Sequence, residues 1–229
     1  MLNLLLENMK KYPGFKVSFS ITGTWIEQAE KWEPKLLDII REMVKREQVE
    51  IVGETYYHSL AYFYNIDEFN DQVRMHAETI KRLFGVTPKA FRNTEFSYND
   101  SLAKWAEEKG YDVILAEGWD KILGWRSPNH VYKPIGCKNI KLLLKNYRLS
   151  DDIAFRFSNR SWSEWPLTAP KYQSWLNDDC LRGNLINLFM DFETFGEHQW
   201  KDTGIFDFMN TFISSWLSEY ENMFVTVSE

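Results

Sequence analysis

The chain has 229 residues, 44% hydrophobic and 26% charged, which fits one large domain, or most of one, with a substantial apolar core. The net charge is −6 and no Lys/Arg block stands out, so no nucleic-acid partner is expected. Two cysteines, Cys137 and Cys180, are too few for a disulfide framework or a cysteine-based zinc site.

The opening stretch, Leu2 to Tyr12, reads as a helix with no strand before it. It lacks a basic leader and a small-residue cleavage site, and no run approaches the ~18 to 20 apolar residues of a membrane span. No membrane partner is expected, and a cytoplasmic protein is the default. The first β-type run is KVSFSI (Lys16 to Ile21). Pro34 then suits a first helical turn, with Leu36, Leu37, Ile40, Met43 and Val44 forming one apolar face behind it. VEIVG (Val49 to Gly53) is the next strand, and Phe69, Val73, Ile80 and Phe84 line the helix after it. His76 shares that apolar face and reads as structural. AFRN (Ala90 to Asn93) follows, then a helix lined by Leu102, Trp105 and Ala106, opened by Asn99-Asp100-Ser101 and closed by Gly110.

DVILAE (Asp112 to Glu117) leads into an irregular stretch from Gly118 to Pro170, read as long loops with short helices around the strand NIKLLLK (Asn139 to Lys145). LINLFMD (Leu185 to Asp191) is predicted as a strand. A helix follows, lined by Ile205, Met209, Phe212, Trp216 and Tyr220, and NMFVTV (Asn222 to Val227) is predicted as a last strand. Strands alternating with helices imply a parallel α/β protein, and six or seven such units suggest a barrel. The glycine-rich turns of dinucleotide folds and P-loops are absent.

In α/β barrels the reactive groups lie at the C-terminal ends of strands. VEIVG runs into Glu54, Tyr56, Tyr57 and His58, and AFRN into Thr94 and Glu95. LINLFMD ends at Asp191 and continues through Glu193 to Glu197 and His198. A strand continuing past Asp191 would put Asp191 and Glu193 on one face. Carboxylates from two strands, one protonated and one ionised, are what glycoside hydrolysis requires. Any one of these carboxylates could equally cap a helix or pair with a basic group. A zinc reading through His58, Glu193, Glu197 and His198 lacks the i, i+4 pairing of a helix-borne motif, so no metal and no cofactor is expected. Aromatic residues make up 16% of the chain, and Trp119, Trp125, Trp162, Trp165 and Trp200 fall in loop-like sequence. Their faces suit sugar rings, or else loops packed over a rim.

Three stretches resemble glycoside hydrolase family 57, of the α-amylase and 4-α-glucanotransferase type. VEIVGETYYHSLA resembles the family's second characteristic region, FRNTEFSYND the third and FMDFETFGEHQW the fourth. LGWRSPNHVY and YRLSDDIAFRF resemble the α-amylase branch in particular. The resemblance implies a retaining mechanism with Glu95 as nucleophile and Asp191 as acid/base. It implies an α-glucan or maltooligosaccharide substrate, with His58 as a sugar-binding residue. Glu193 and His198 would support the acid/base or hold substrate, and Trp119, Trp125 and Trp200 would be subsite walls. The first region, on the first strand, is missing, and the fifth is at most begun by FVTVSE. The expectation is therefore residues 1–229 as a partial catalytic domain, truncated at both ends: an incomplete parallel (β/α)7 barrel lacking its first strand. The expected activity is α-amylase-like cleavage of α-1,4 bonds. The alternatives are a 4-α-glucanotransferase or branching enzyme, a non-catalytic glucan-binding remnant, and a metal-dependent deacetylase on a related barrel.

Overall fold

The computed structural model describes all residues except Arg182 and Asn184. Among the described residues the chain forms nine α-helices and five strands. In order these are α1 (Leu2–Lys11), β1 (Val17–Ser20), α2 (Gly23–Trp32), α3 (Lys35–Lys45), β2 (Val49–Val52), α4 (Ile66–Phe84) and β3 (Ala90–Arg92). Next come α5 (Asp100–Glu108), β4 (Val113–Glu117), α6 (Asp120–Leu123), β5 (Lys141–Lys145), α7 (Tyr147–Ala154), α8 (Ala169–Cys180) and α9 (Ile205–Trp216).

The pairings among these five strands are parallel, and an isolated antiparallel bridge joins Tyr132 to Leu142 of β5. β1 pairs with β2, and β3–β4–β5 form a second sheet. A bridge between Gly53 and Phe91 joins the two sheets. The fold is thus α/β with parallel strands, as the alternation of elements implies.

Side-chain alternation along the strands sorts residues onto two faces. Phe91, Ile114, Ala116, Leu142 and Leu144 join Phe69 of α4 and Leu102, Ala103 and Ala106 of α5 in one buried cluster. The opposite, inner face carries Val52, Ala90, Val113, Leu115 and Leu143, with Phe96 and the partly buried Leu185, Phe189 and Val227 against them. A third cluster packs α1, α3 and α4 behind β1 and β2, around Met9, Ile40, Met43, Ile51 and Ile80. Each fully buried aliphatic side chain there contributes roughly 1.5–3 kcal/mol against exposure.

The helix ends are chemically marked. Thr22, Asn65, Asn99, Asn146 and Thr168 cap α2, α4, α5, α7 and α8 through their side chains. Gly85 ends α4 with a left-handed φ of 76°. Gly23 serves a different end. It lies so near the Tyr56 ring that a Cβ there would fall 2.4 Å from it. This contact places the loop after β2 against the start of α2.

Three expectations are corrected, and two helices were missed. Among the described residues LINLFMD makes a single bridge, Asn187 to Lys145. Its next ladder position goes to a side chain instead, Phe189 N–H donating to Ser150 Oγ at 3.1 Å. NMFVTV forms no strand among the described residues; side chains hold two of its amides, Thr226 N–H donating to Glu229 Oε2 and Val227 N–H to Ser18 Oγ. The last helix ends at Trp216, leaving Tyr220 exposed. Helices α2 and α8 were not foreseen, the second because APKYQSWLNDDC has a weak apolar stripe.

Candidate active site

The inner face ends at the C-terminal rim in polar residues. Counting by twos along each strand gives Ser20 on β1, Glu54 just past β2, Arg92 on β3, Glu117 on β4 and Lys145 on β5. The Arg92–Leu115 register and the Glu117–Lys145 register set this row. Ser20 Oγ donates to Glu54 Oε1 at 2.7 Å, and Lys145 Nζ lies 3.5 Å from Glu117 Oε2.

Glu95 sits above Arg92 on a single 3-10 turn, Thr94–Phe96. Its backbone is left-handed, with φ 56°, as are Phe96 at 55° and, across the rim, His58 at 52°. Such conformations are costly for non-glycine residues and persist where surrounding structure imposes them. The surroundings here are explicit. Thr94 Oγ1 donates to Ser59 O at 2.7 Å and lies 3.0 Å from Thr55 Oγ1. Ser59 Oγ donates to the buried Gln72 of α4 at 2.8 Å. The turn after β3 is thereby fastened to the loop after β2.

The result is a direct contact: His58 Nε2 lies 2.8 Å from Glu95 Oε1. The other ring nitrogen, Nδ1, lies 3.5 Å from Glu54 Oε2. The imidazole is held above its ordinary pKa by Glu54 first, and also by Glu95, while partial burial and Arg92 oppose this. The Glu54 side chain is 1% exposed, whereas the Glu95 side chain is 73% exposed. Reciprocally, the His58 hydrogen bond holds Glu95 below the usual carboxylate range, with Arg92, the His58 charge and Lys145 adding to it and partial burial opposing.

Asp191 is exposed at the end of the segment that runs beside β5. The chain turns at once into a 3-10 helix, Phe192–Thr194, so the expected shared strand face of Asp191 and Glu193 does not form. The turn is closed by Glu197 and His198 N–H groups, both donating to Glu193 O at 3.1 Å. His198 Nε2 lies 3.7 Å from Glu193 Oε1, so these two predicted residues form their own pair. Gln199 anchors the loop by donating to Ala154 O at 3.0 Å.

Trp119 is half exposed and lines a shallow cavity of about 320 Å³ with Glu117, Lys145, Tyr147 and Asp151. Tyr147 Oη donates to Asp120 Oδ2 at 2.6 Å. Trp200 is exposed beside the Asp191 loop, and Trp125 is 94% exposed, the least enclosed of the three. The sequence reading missed Arg92, Glu117, Lys145 and Tyr147. The signal was present: Glu117 and Lys145 end strands at positions of the same parity as the inner-face leucines. Among the described residues no group of three or more His, Cys, Asp or Glu converges to hold a metal ion.

This set of strand-end carboxylates sits on a chain that matches Glycosyl hydrolase family 57 over residues 1–229. The chain belongs to this family. A protein of Methanocaldococcus jannaschii provisionally named an alpha-amylase is 48% identical over 229 residues, spanning 99% of this chain and 48% of the relative. A Pyrococcus furiosus alpha-amylase is 28% identical over 129 residues, 56% of this chain and 20% of that protein. The crystal structure of a 4-alpha-glucanotransferase from Thermococcus litoralis matches with a TM-score of 0.77 at 22% identity, over 98% of this chain and 35% of that one. At that identity the likeness concerns the fold. This family 57 chain therefore spans about half, or less, of the length of these relatives. No helix among its described residues is long and apolar enough to cross a membrane.

Proposed function

We propose that the chain carries the two reactive carboxylates of a retaining, α-glucan-cleaving enzyme, on a (β/α)7 barrel of which these five strands form part. Glu95 is the nucleophile: one carboxylate oxygen attacks the anomeric carbon and forms a glycosyl ester. Asp191 is the acid/base: it protonates the departing glycosidic oxygen, then takes a proton from the water that opens the ester. His58 and Trp119 line the sugar site, with Trp200, Glu193 and His198 on the Asp191 side and Trp125 at the margin.

The observation that carries this reading is the 2.8 Å contact between His58 and Glu95, made from two left-handed turns. A nucleophile has to be anionic and aimed. An imidazole on one oxygen supplies both conditions and leaves the second oxygen available. The membership of family 57 and the α-amylase and glucanotransferase names of the relatives agree with an α-glucan substrate.

The test is product analysis on maltooligosaccharides, using this chain alone and in place of the matching half of the Methanocaldococcus jannaschii relative. Cleavage that is lost in Glu95→Gln and Asp191→Asn, with glucan binding retained, supports the assignment. Cleavage surviving in Glu95→Gln sinks it. Products longer than the substrate identify transfer to sugar rather than to water.

A further inference from the structure

Both ring nitrogens of His58 face carboxylate oxygens, Glu95 at 2.8 Å and Glu54 at 3.5 Å. An ionised carboxylate only accepts, and an unprotonated ring nitrogen only accepts, so two ionised carboxylates are both matched when each ring nitrogen carries a hydrogen. Glu54 is 1% exposed, and its other oxygen is occupied by Ser20 Oγ at 2.7 Å. A buried carboxylate persists as an anion only with such partners. The longer Glu54 contact is a charge contact rather than a short hydrogen bond.

We propose that Glu54 is a positioning residue that works through His58, keeping a hydrogen on both ring nitrogens throughout turnover so that His58 fixes one oxygen of Glu95 and leaves the other to react. The proposal rests on the reading of Glu95 as nucleophile. The need for Glu54 follows from charge. When Glu95 attacks, a bond forms from its oxygen to the anomeric carbon, the glycosidic bond breaks, and the proton of Asp191 goes to the leaving oxygen. Glu95 is then a neutral ester and His58 has lost one of its two counter-ions. Glu54 remains and holds the imidazolium in place. When water, deprotonated by Asp191, opens the ester, negative charge returns to Glu95 beside an imidazolium already aimed at it.

The other groups around this pair are few. The charge of Arg92 of β3 acts on both His58 and Glu95, and that of Lys145 of β5 on Glu95. Behind Glu54 stand Ser20 of β1 and His76 of α4. Arg92 and Lys145 repel a charged imidazole or act on Glu95 alone, and burial disfavours a charge on His76. Glu54 is the one anion among them that is unconsumed by the reaction.

The chain contains four histidines, so the ring carbons of ¹³C-labelled histidine report His58 separately. In Glu54→Gln the His58 titration and the alkaline limb of kcat are both expected to move down by about one pH unit, with KM little changed. In Glu95→Gln, His58 is expected to keep titrating above its ordinary value of about 6.5, because Glu54 remains. Either an unmoved His58 titration in Glu54→Gln, or a His58 in Glu95→Gln that titrates at or below the ordinary value, overturns the proposal. The second variant decides the matter even if Glu54→Gln does not fold. Failure of the nucleophile assignment reads differently: Glu95→Gln then retains cleavage, whatever His58 does.

Discussion

The ring of Phe189 meets the ring of Phe96 edge-on, with centroids 4.6 Å apart and planes at 86°. Phe96 directly follows Glu95, and Phe189 lies two residues before Asp191. The guanidinium of Arg92 lies against both rings, at 4.7 and 4.8 Å from their centroids. This contact joins the two turns whose carboxylates are proposed to act together. Phe189→Ala is expected to cost about 2–3 kcal/mol, less than the 3–5 kcal/mol of a fully buried phenylalanine because Phe189 is partly exposed. Urea unfolding measures it. A cost below about 0.5 kcal/mol, within the surface range, removes the aromatic contact as a brace.

The role given to Asp191 depends on the leaving group. Asp191→Asn is expected to slow cleavage of maltooligosaccharides by about 10²–10⁴-fold. Substrates with an activated leaving group, such as glucosyl fluorides, need no protonation in the first step, so their ester formation on Glu95 is expected to be slowed far less. Mass spectrometry of the intact protein detects that ester as an added sugar. Equal slowing for both substrate types contradicts an acid/base Asp191.

Two histidines make opposite contributions to pH stability. Burial holds His76 below its ordinary pKa; its Nε2–H donates to Ile21 O at 2.8 Å. Its folded value lies below its unfolded one, so its contribution is complete above about pH 6.5 and is lost as pH falls through the folded value. His58 is raised, so its contribution is complete below about pH 6.5 and is lost as pH rises through its folded value. From pH 7 to 5.5, stability is expected to fall by up to about 1.4 kcal/mol per pH unit on account of His76. A folded His76→Gln variant is expected to show a shallower slope in urea titrations. An unchanged slope refutes the assignment.

Exposed tryptophans differ in what surrounds them. Trp119 has a cavity and polar neighbours, whereas Trp125 is 94% exposed. Trp119→Ala is expected to weaken maltooligosaccharide binding by roughly tenfold, on the scale of 1–2 kcal/mol for a stacked ring, and Trp125→Ala by less than twofold. Titration calorimetry on the Asp191→Asn background measures both. The reverse order places the sugar elsewhere on the rim.

The strand–helix alternation was legible because apolar runs with period two and apolar faces with period three to four leave different marks. β1 to β5 fall within two residues of their predicted bounds. Where a predicted strand failed, side chains hold its amides: Ser150 at Phe189 and Ser18 at Val227. A hydroxyl or carboxylate from a distant element leaves no periodic trace in the segment it captures. The sequence also singled out His58 and Glu95 as strand-end residues, but nothing in it states that they touch.

By itself the sequence determined the parallel α/β class, the rim on which polar groups collect, and the three motif stretches that mark family 57. These are local properties, set by side-chain period, capping residues and residue type at strand ends. Only the tertiary structure decided the pairing of the rim: Ser20 with Glu54, His58 between Glu54 and Glu95, Glu117 with Lys145, and Phe96 against Phe189. Those contacts depend on strand register and on left-handed turns at His58 and Glu95, and both are imposed by long-range packing rather than by neighbours in the chain.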